Sequence, residues 1–219
     1  MKLWLEGLWT LLFPPKCVLC GDILQPQETD LCRRCRTGTE IYKNFRKRIP
    51  FVAKWRALWY YEGDVRFSLL RFKFRGKRSY AESYGRLLAM RIAEEFPEGY
   101  DLITWVPVSK RRKHRRGYDQ VELLAAAVAA ELGQTAVSTL IKHRDNPPQS
   151  GITGMAQRKA NVLNVYRIAD PQTVKGKRIL LLDDILTTGA TVSECARVLM
   201  TAGAKEVYCA AVAANSHER

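Results

Sequence analysis

The stretch Ile179-Leu180-Leu181-Leu182-Asp183-Asp184-Ile185-Leu186-Thr187-Thr188-Gly189-Ala190-Thr191 decides how this chain folds. Four aliphatic residues in a row, after the polar Lys175-Gly176-Lys177-Arg178, predict a short strand buried on both faces of a parallel sheet. Two carboxylates arrive where such a strand would end, and a small hydroxyl-rich loop follows. Val192, Cys195, Ala196 and Leu199 then repeat with a helical period, and Gly203 stands where a helix C-cap would be. The segment reads as strand, acidic edge, Thr/Gly loop and helix N-terminus.

Loop N–H groups and the positive end of a helix dipole favour a phosphate. Gly189 lets a backbone come close, Ala190 lies beside it in the loop, and Thr187, Thr188 and Thr191 offer hydroxyl donors. Asp183 and Asp184 can accept hydrogen bonds from vicinal ribose hydroxyls, or from water on a magnesium ion. A phosphorylated ribose satisfies both halves at once. An acidic pair alone would read as two solvated carboxylates ahead of an ordinary cap; the intact LLLDD-x-x-TTG-x-T pattern argues against that.

ILLLDDILTTGAT resembles the phosphoribosyl-pyrophosphate (PRPP) motif of type I phosphoribosyltransferases, with its acidic, Thr and Gly positions all present. Further segments resemble the competence-associated ComF family: the LLFPPKC entry to the first cysteines, a K-aromatic-x-G-K segment at Lys73–Lys77, and V-P-V leading to R-G-Y-D-Q, with Asp119 where Asn is more usual. Gln149, Arg158 and Asn161 also match the family, in a Pro/Gly-rich stretch that reads as a long loop; loops at this point close over PRPP in related transferases.

The 219 residues carry a net charge of +14, unevenly spread. Residues 1–78 hold 17 Lys/Arg against 7 Asp/Glu, and residues 79–219 hold 19 against 15. A basic front end suggests a polyanionic partner. Four of the six cysteines form two pairs, Cys17/Cys20 and Cys32/Cys35. Each CxxC turn can aim two thiolates at one point, and two turns complete a tetrahedral, structural zinc site; a redox dithiol is the competing reading. Cys195 and Cys209 fall in apolar settings and read as buried thiols. Leu5, Leu8, Trp9 and Leu12 keep helical spacing over residues 3–12, a short amphipathic helix that docks on the core or on a partner or membrane. That stretch carries Glu6, has no cleavage site and is too short to span a bilayer, so a cytosolic protein is expected.

Residues 1–45 are expected to form the helix and zinc module, residues 46–219 the transferase-like domain, and the basic run Arg36–Arg56 a linker. Strands are predicted at Ala57–Tyr61, Leu102–Val106, Val137–Ile141 and Val207–Ala214, alternating with helices from Asp64, over Ser79–Glu95 and over Val121–Leu132. The fold class is α/β, a mostly parallel sheet flanked by helices; the resemblance implies the type I phosphoribosyltransferase fold. Two cationic segments stand out. Arg71–Lys77, with Lys73 and Arg75, alternates cations with aromatics; Lys110–Arg116, with Arg111, Arg112, Arg115 and Arg116, reads as a basic loop after a strand end. Either can meet pyrophosphate or the backbone of a nucleic acid, or stand as solvated surface. His114 belongs to that run, and His143 and His217 lack ligand spacing.

The resemblance implies magnesium and PRPP as ligands and natural competence as the setting, with single-stranded DNA and a helicase-like ATPase as partners. Asp183 and Asp184 would hold the ribose and Thr187–Thr191 its 5-phosphate. The rival expectations are an active phosphoribosyltransferase of unknown acceptor and a PRPP-responsive regulator. Thr187 stands where purine-salvage relatives often carry an acid, and no catalytic N-terminal cysteine suggests a glutaminase.

Overall fold

The computed structural model describes residues 14–144 and 161–215. The expected helix over 3–12, the positions Gln149 and Arg158, and His217 lie outside those residues. In chain order the elements are α1 (Arg33–Gly38), β1 (Lys54–Tyr60), α2 (Gly63–Phe74), α3 (Tyr80–Glu95), β2 (Leu102–Trp105), α4 (Lys110–Arg116), α5 (Gln120–Glu131), β3 (Leu140–Lys142), β4 (Tyr166–Ile168), β5 (Arg178–Leu186), α6 (Ala190–Thr201) and β6 (Glu206–Ala214). β1-β6-β5-β2 form one parallel sheet, and β3 pairs with β4 in a separate antiparallel ribbon. This is a parallel sheet flanked by helices, joined to a four-cysteine element.

β5 is central, and its side chains alternate between two apolar layers, as a period of two requires. Leu180 and Leu182 join Leu69, Phe72, Tyr84, Leu88 and Leu124 under α2, α3 and α5. Ile179 and Leu181 join Val192, Cys195 and Leu199 of α6, with Tyr42, Ile49 and Trp55. α3 and α5 approach closely through small residues: a Cβ on Gly85 would stand 2.5 Å from that of Ala127. An alanine there would drive the two helices apart.

The cysteine element packs into the first layer. Val18, Leu19, Leu24 and Leu31 are buried with the α2–α3 side chains. The hydroxyl of Ser68 donates to Val18 O, and the guanidinium of Arg71 to Leu19 O. Arg86 on α3 forks onto Asp30, with Nη2 2.6 Å from Oδ1 and Nε 3.0 Å from Oδ2. The stretch expected as a linker is likewise packed. Tyr42 N donates to Leu58 O, and Trp55 Nε1 donates to Lys47 O at 2.7 Å.

Three local expectations change. Lys110–Arg116 is a helix, not a loop: Ser109 Oγ caps it by accepting from Arg112 N, and Gly117, at φ 76°, ends it. Seven residues of one charge sign carry no apolar period, so only those caps betray it. The strand expected at Val137–Ile141 shrinks to Leu140–Lys142, while Ala136 makes a single parallel bridge to Ile103. β5 does not stop before the acids. It runs through Asp183 and Asp184 to Leu186, in register with Ala211, Ala213 and Ala214 of β6.

Candidate functional site

Because the acidic pair is still in strand conformation, its two side chains leave opposite faces of β5. Asp184 follows Leu180 and Leu182 toward α2 and α5. There Lys73 Nζ stands 2.9 Å from its Oδ1, and Gln120 Nε2 donates to its Oδ2 at 2.9 Å. Asp183 follows Ile179 and Leu181 toward α6, and its Oδ1 accepts from the N–H of Asp184 at 2.8 Å. Burial first, and then the charge of Asp184, push the Asp183 carboxyl up to about 8. The carboxyl is therefore mostly protonated at neutral pH until a cation reaches it.

The pair sits at the floor of a cleft of about 500 Å³, at the carboxyl ends of the central strands. One wall brings Lys73 and Phe74 from the end of α2; another brings Arg112, Arg115 and Arg116 from α4 and Gln120 from α5. Thr187 and Thr191 close a third side, and Lys142 and Tyr166 of the β3–β4 ribbon a fourth. Thr188 and Gly189 form the turn into α6, whose first residue is Ala190; Thr188 Oγ1 accepts from Ala190 N, and Lys47 Nζ donates to Thr187 O at 3.0 Å. Arg75 and Arg111 are exposed and do not line the cleft.

Arg116 has special surroundings. Its Nη1 donates to Gln120 Oε1 at 2.7 Å and its guanidinium lies 4.8 Å from the Phe74 ring centroid. Its buried Nε has no hydrogen-bond partner among the described residues, and burial lowers its pKa from the usual guanidinium value. A buried, underused cationic donor in a cleft is suited to an anion.

Gly189 is required by its conformation. At φ 76° it turns the chain into α6, and a Cβ would meet the Ile49 side chain at 3.1 Å. The acids lie on a central strand, near its carboxyl end.

Sequence reasoning overlooked Gln120, Lys142, Tyr166 and Lys47 as neighbours of the cleft. Gln120 had a signal, the last residue of R-G-Y-D-Q. Asp119 beside it caps α5 through Val121 N and Glu122 N and also accepts from Val108 N at 3.0 Å, fixing the loop after β2 to the helix that presents Gln120.

The four cysteine sulfurs lie within 4.8 Å of one another, and Cys20 Sγ is 3.7 Å from Cys32 Sγ. Zinc–sulfur bonds of about 2.3 Å set tetrahedral sulfurs about 3.8 Å apart, so the cluster fits a structural zinc site. Gly21, at φ 86°, turns the first pair, and Cys32 and Cys35 sit one helical turn apart at the start of α1. Burial and neighbouring thiols raise the Cys35 pKa, an opposition that a dication relieves.

The phosphoribosyl transferase domain model matches residues 122–219, and the double zinc ribbon domain model matches residues 8–46. The chain is 28% identical over 190 residues to competence protein ComFC of Bacillus subtilis, covering 85% of the chain and 72% of that protein. It is 24% identical over 218 residues to competence protein F of Haemophilus influenzae, covering 88% and 93%. The chain is thus similar to competence proteins over most of its length. It is also 30% identical over 146 residues to the DNA utilization protein YhgH of Escherichia coli, covering 63% of this chain and 62% of that one. Among solved structures, the allosteric regulatory enzyme of purine biosynthesis aligns with TM-score 0.45 and 21% identity, over 65% of this chain but 29% of the enzyme. No helix among the described residues is long and apolar enough to cross a membrane.

Proposed function

We propose that this protein binds magnesium–PRPP in the cleft over Asp183 and Asp184 and handles single-stranded DNA in natural competence. The observation that carries the reading is the meeting of a buried acidic pair with Lys73, Arg112, Arg115 and Arg116 across one cleft. A phosphorylated sugar with a pyrophosphate needs both signs of charge and a helix start, and few other small ligands do. Each oxygen of Asp184 already takes one donor, from Lys73 and Gln120, and each keeps a lone pair for a ribose hydroxyl or a metal-bound water.

Thr187 and Thr191 would donate to the 5-phosphate at the start of α6. Lys73 and the α4 arginines would face the pyrophosphate, with the unpartnered Nε of Arg116 the most available donor. Magnesium, when bound, supplies charge neutralisation at the pyrophosphate. The competence setting rests on the relatives named competence proteins, and the strand on the +14 charge.

Calorimetry tests the ligand. Wild-type protein should give magnesium-dependent heat with PRPP at or below millimolar concentration, and its absence would leave a transferase frame without the ligand. Pyrophosphate release from PRPP, with and without single-stranded DNA, separates a working transferase from a binder. Binding is the function proposed, and the release measurement decides whether turnover accompanies it.

A further inference from the structure

α2 has two apolar stripes. Val65, Ser68, Leu69 and Phe72 are buried against the core, but Phe67 and Phe74 are 55% and 58% exposed. They are seven residues apart, on one face of the helix and about 10 Å apart along its axis. Half-buried Leu70 lies between them and lines the cleft, as Phe74 does. The stripe thus leads along α2 into the cleft.

Each exposed ring has a guanidinium beside it. Arg66 is 5.9 Å from the Phe67 centroid, and Arg116 is 4.8 Å from that of Phe74. From residue 65 to 81 there are six Lys/Arg and no acid, and from 102 to 118 another six with none. An apolar partner helix would have to desolvate these cations beside its own face. A strand of nucleic acid places a base on each ring and phosphates against the flanking charges, so charge complementarity favours the strand.

We propose that Phe67 and Phe74 are base-stacking platforms of a single-stranded nucleic-acid track along α2 that ends at the ribosyl cleft. This rests on the strand-handling part of the function proposed above and adds where the bases go. Arg116 serves both ligands: it flanks the terminal base on Phe74 and reaches, through Gln120, the carboxylate of Asp184.

The test uses the full chain with a single-stranded oligonucleotide and an abasic strand of equal length, compared by fluorescence anisotropy at several salt concentrations. Wild type should bind the base-bearing strand more tightly. Phe67→Ala and Phe74→Ala should each remove roughly five- to hundredfold of that affinity, leaving abasic binding and the salt slope unchanged. Phe74→Trp should bind like wild type, while Phe74→Leu, which keeps apolar area without a π-face, should bind like the alanine variant. Equal affinity of wild type for both strands, or equal losses on both in the alanine variants, would overturn the track. Phe67→Ala should keep its magnesium–PRPP heat, so that result stands apart from failure of the ligand reading.

Discussion

At Asp184 a carboxylate shared between Lys73 and Gln120 is asked to take a further donor, so its charge matters more than its shape. Asp184→Asn should weaken magnesium–PRPP binding roughly ten- to hundredfold, from loss of a charge-assisted hydrogen bond of about 1.5–3 kcal/mol; titration calorimetry on both proteins reads it directly. Asp183 makes a pH prediction. Its carboxyl, at about 8 when folded against 3.8 ordinarily, holds a proton that the unfolded chain has released across that interval. With the folded pKa raised, the group's favourable contribution is full below about pH 4 and is lost as pH climbs through about 8. Asp183→Asn should therefore gain stability relative to wild type as pH rises, seen as a widening gap in urea midpoints from about pH 5 to 8.5. A gap that stays constant would place the proton elsewhere. Gly189→Val should both strain a φ of 76° and press on Ile49, so its loss of ligand affinity should come with a lower unfolding midpoint.

At the scale of elements, the sequence shows where β5 begins and hides where it ends. Four aliphatics announce the strand, but an acidic pair is also a turn signal. What keeps Asp183 and Asp184 extended is their pairing with β6, whose Ala211 and Ala213 lie opposite Asp183 and Ile185. That is a tertiary cause with no local trace. α4 was hidden for the opposite reason, since its residues are alike in charge and only Ser109 and Gly117 mark its ends. The meeting of Lys73 with Asp184 needed the docking of α2 across the sheet, and no spacing in the chain encodes it. The cysteine cluster was legible because ligand spacing is local. Helix α4 carries a prediction of its own. Both Arg112 and Arg115 turn toward the cleft, so reversing their charges should flatten the salt dependence of single-strand binding. If about four to six phosphates are engaged, the wild-type log–log slope should be near −3 to −4. An unchanged slope in the double variant would move the phosphate contacts to the cysteine element.

Over the whole molecule, the cysteine element and the cleft are joined by one helix. Val18 and Leu19, between the first pair of cysteines, present their carbonyls to Ser68 and Arg71 of α2. Two residues on, Lys73 meets Asp184, and the carbonyl of Phe72 accepts from the hydroxyl of Tyr118 beside the start of α5. Zinc binding in small finger peptides is worth about 10–16 kcal/mol, enough to set the order of the whole element. Elemental analysis should find one zinc per chain, retained in Cys195→Ser and Cys209→Ser, whose thiols are buried elsewhere. Replacing Cys32 and Cys35 with Ser should release the metal and loosen the knuckle that anchors α2. Lys73 would then lose its fixed approach to Asp184, and magnesium–PRPP affinity should fall about tenfold, the equivalent of one positioned charged contact. Using cysteine variants rather than a chelator leaves magnesium untouched, so the two metals are separated. Arg71→Ala in the zinc-loaded protein provides the control, because it cuts the link between knuckle and α2 while leaving all four thiols in place. If both variants bind magnesium–PRPP as wild type does, the zinc element and the cleft are independent, and α2 is held over Asp184 by the core alone.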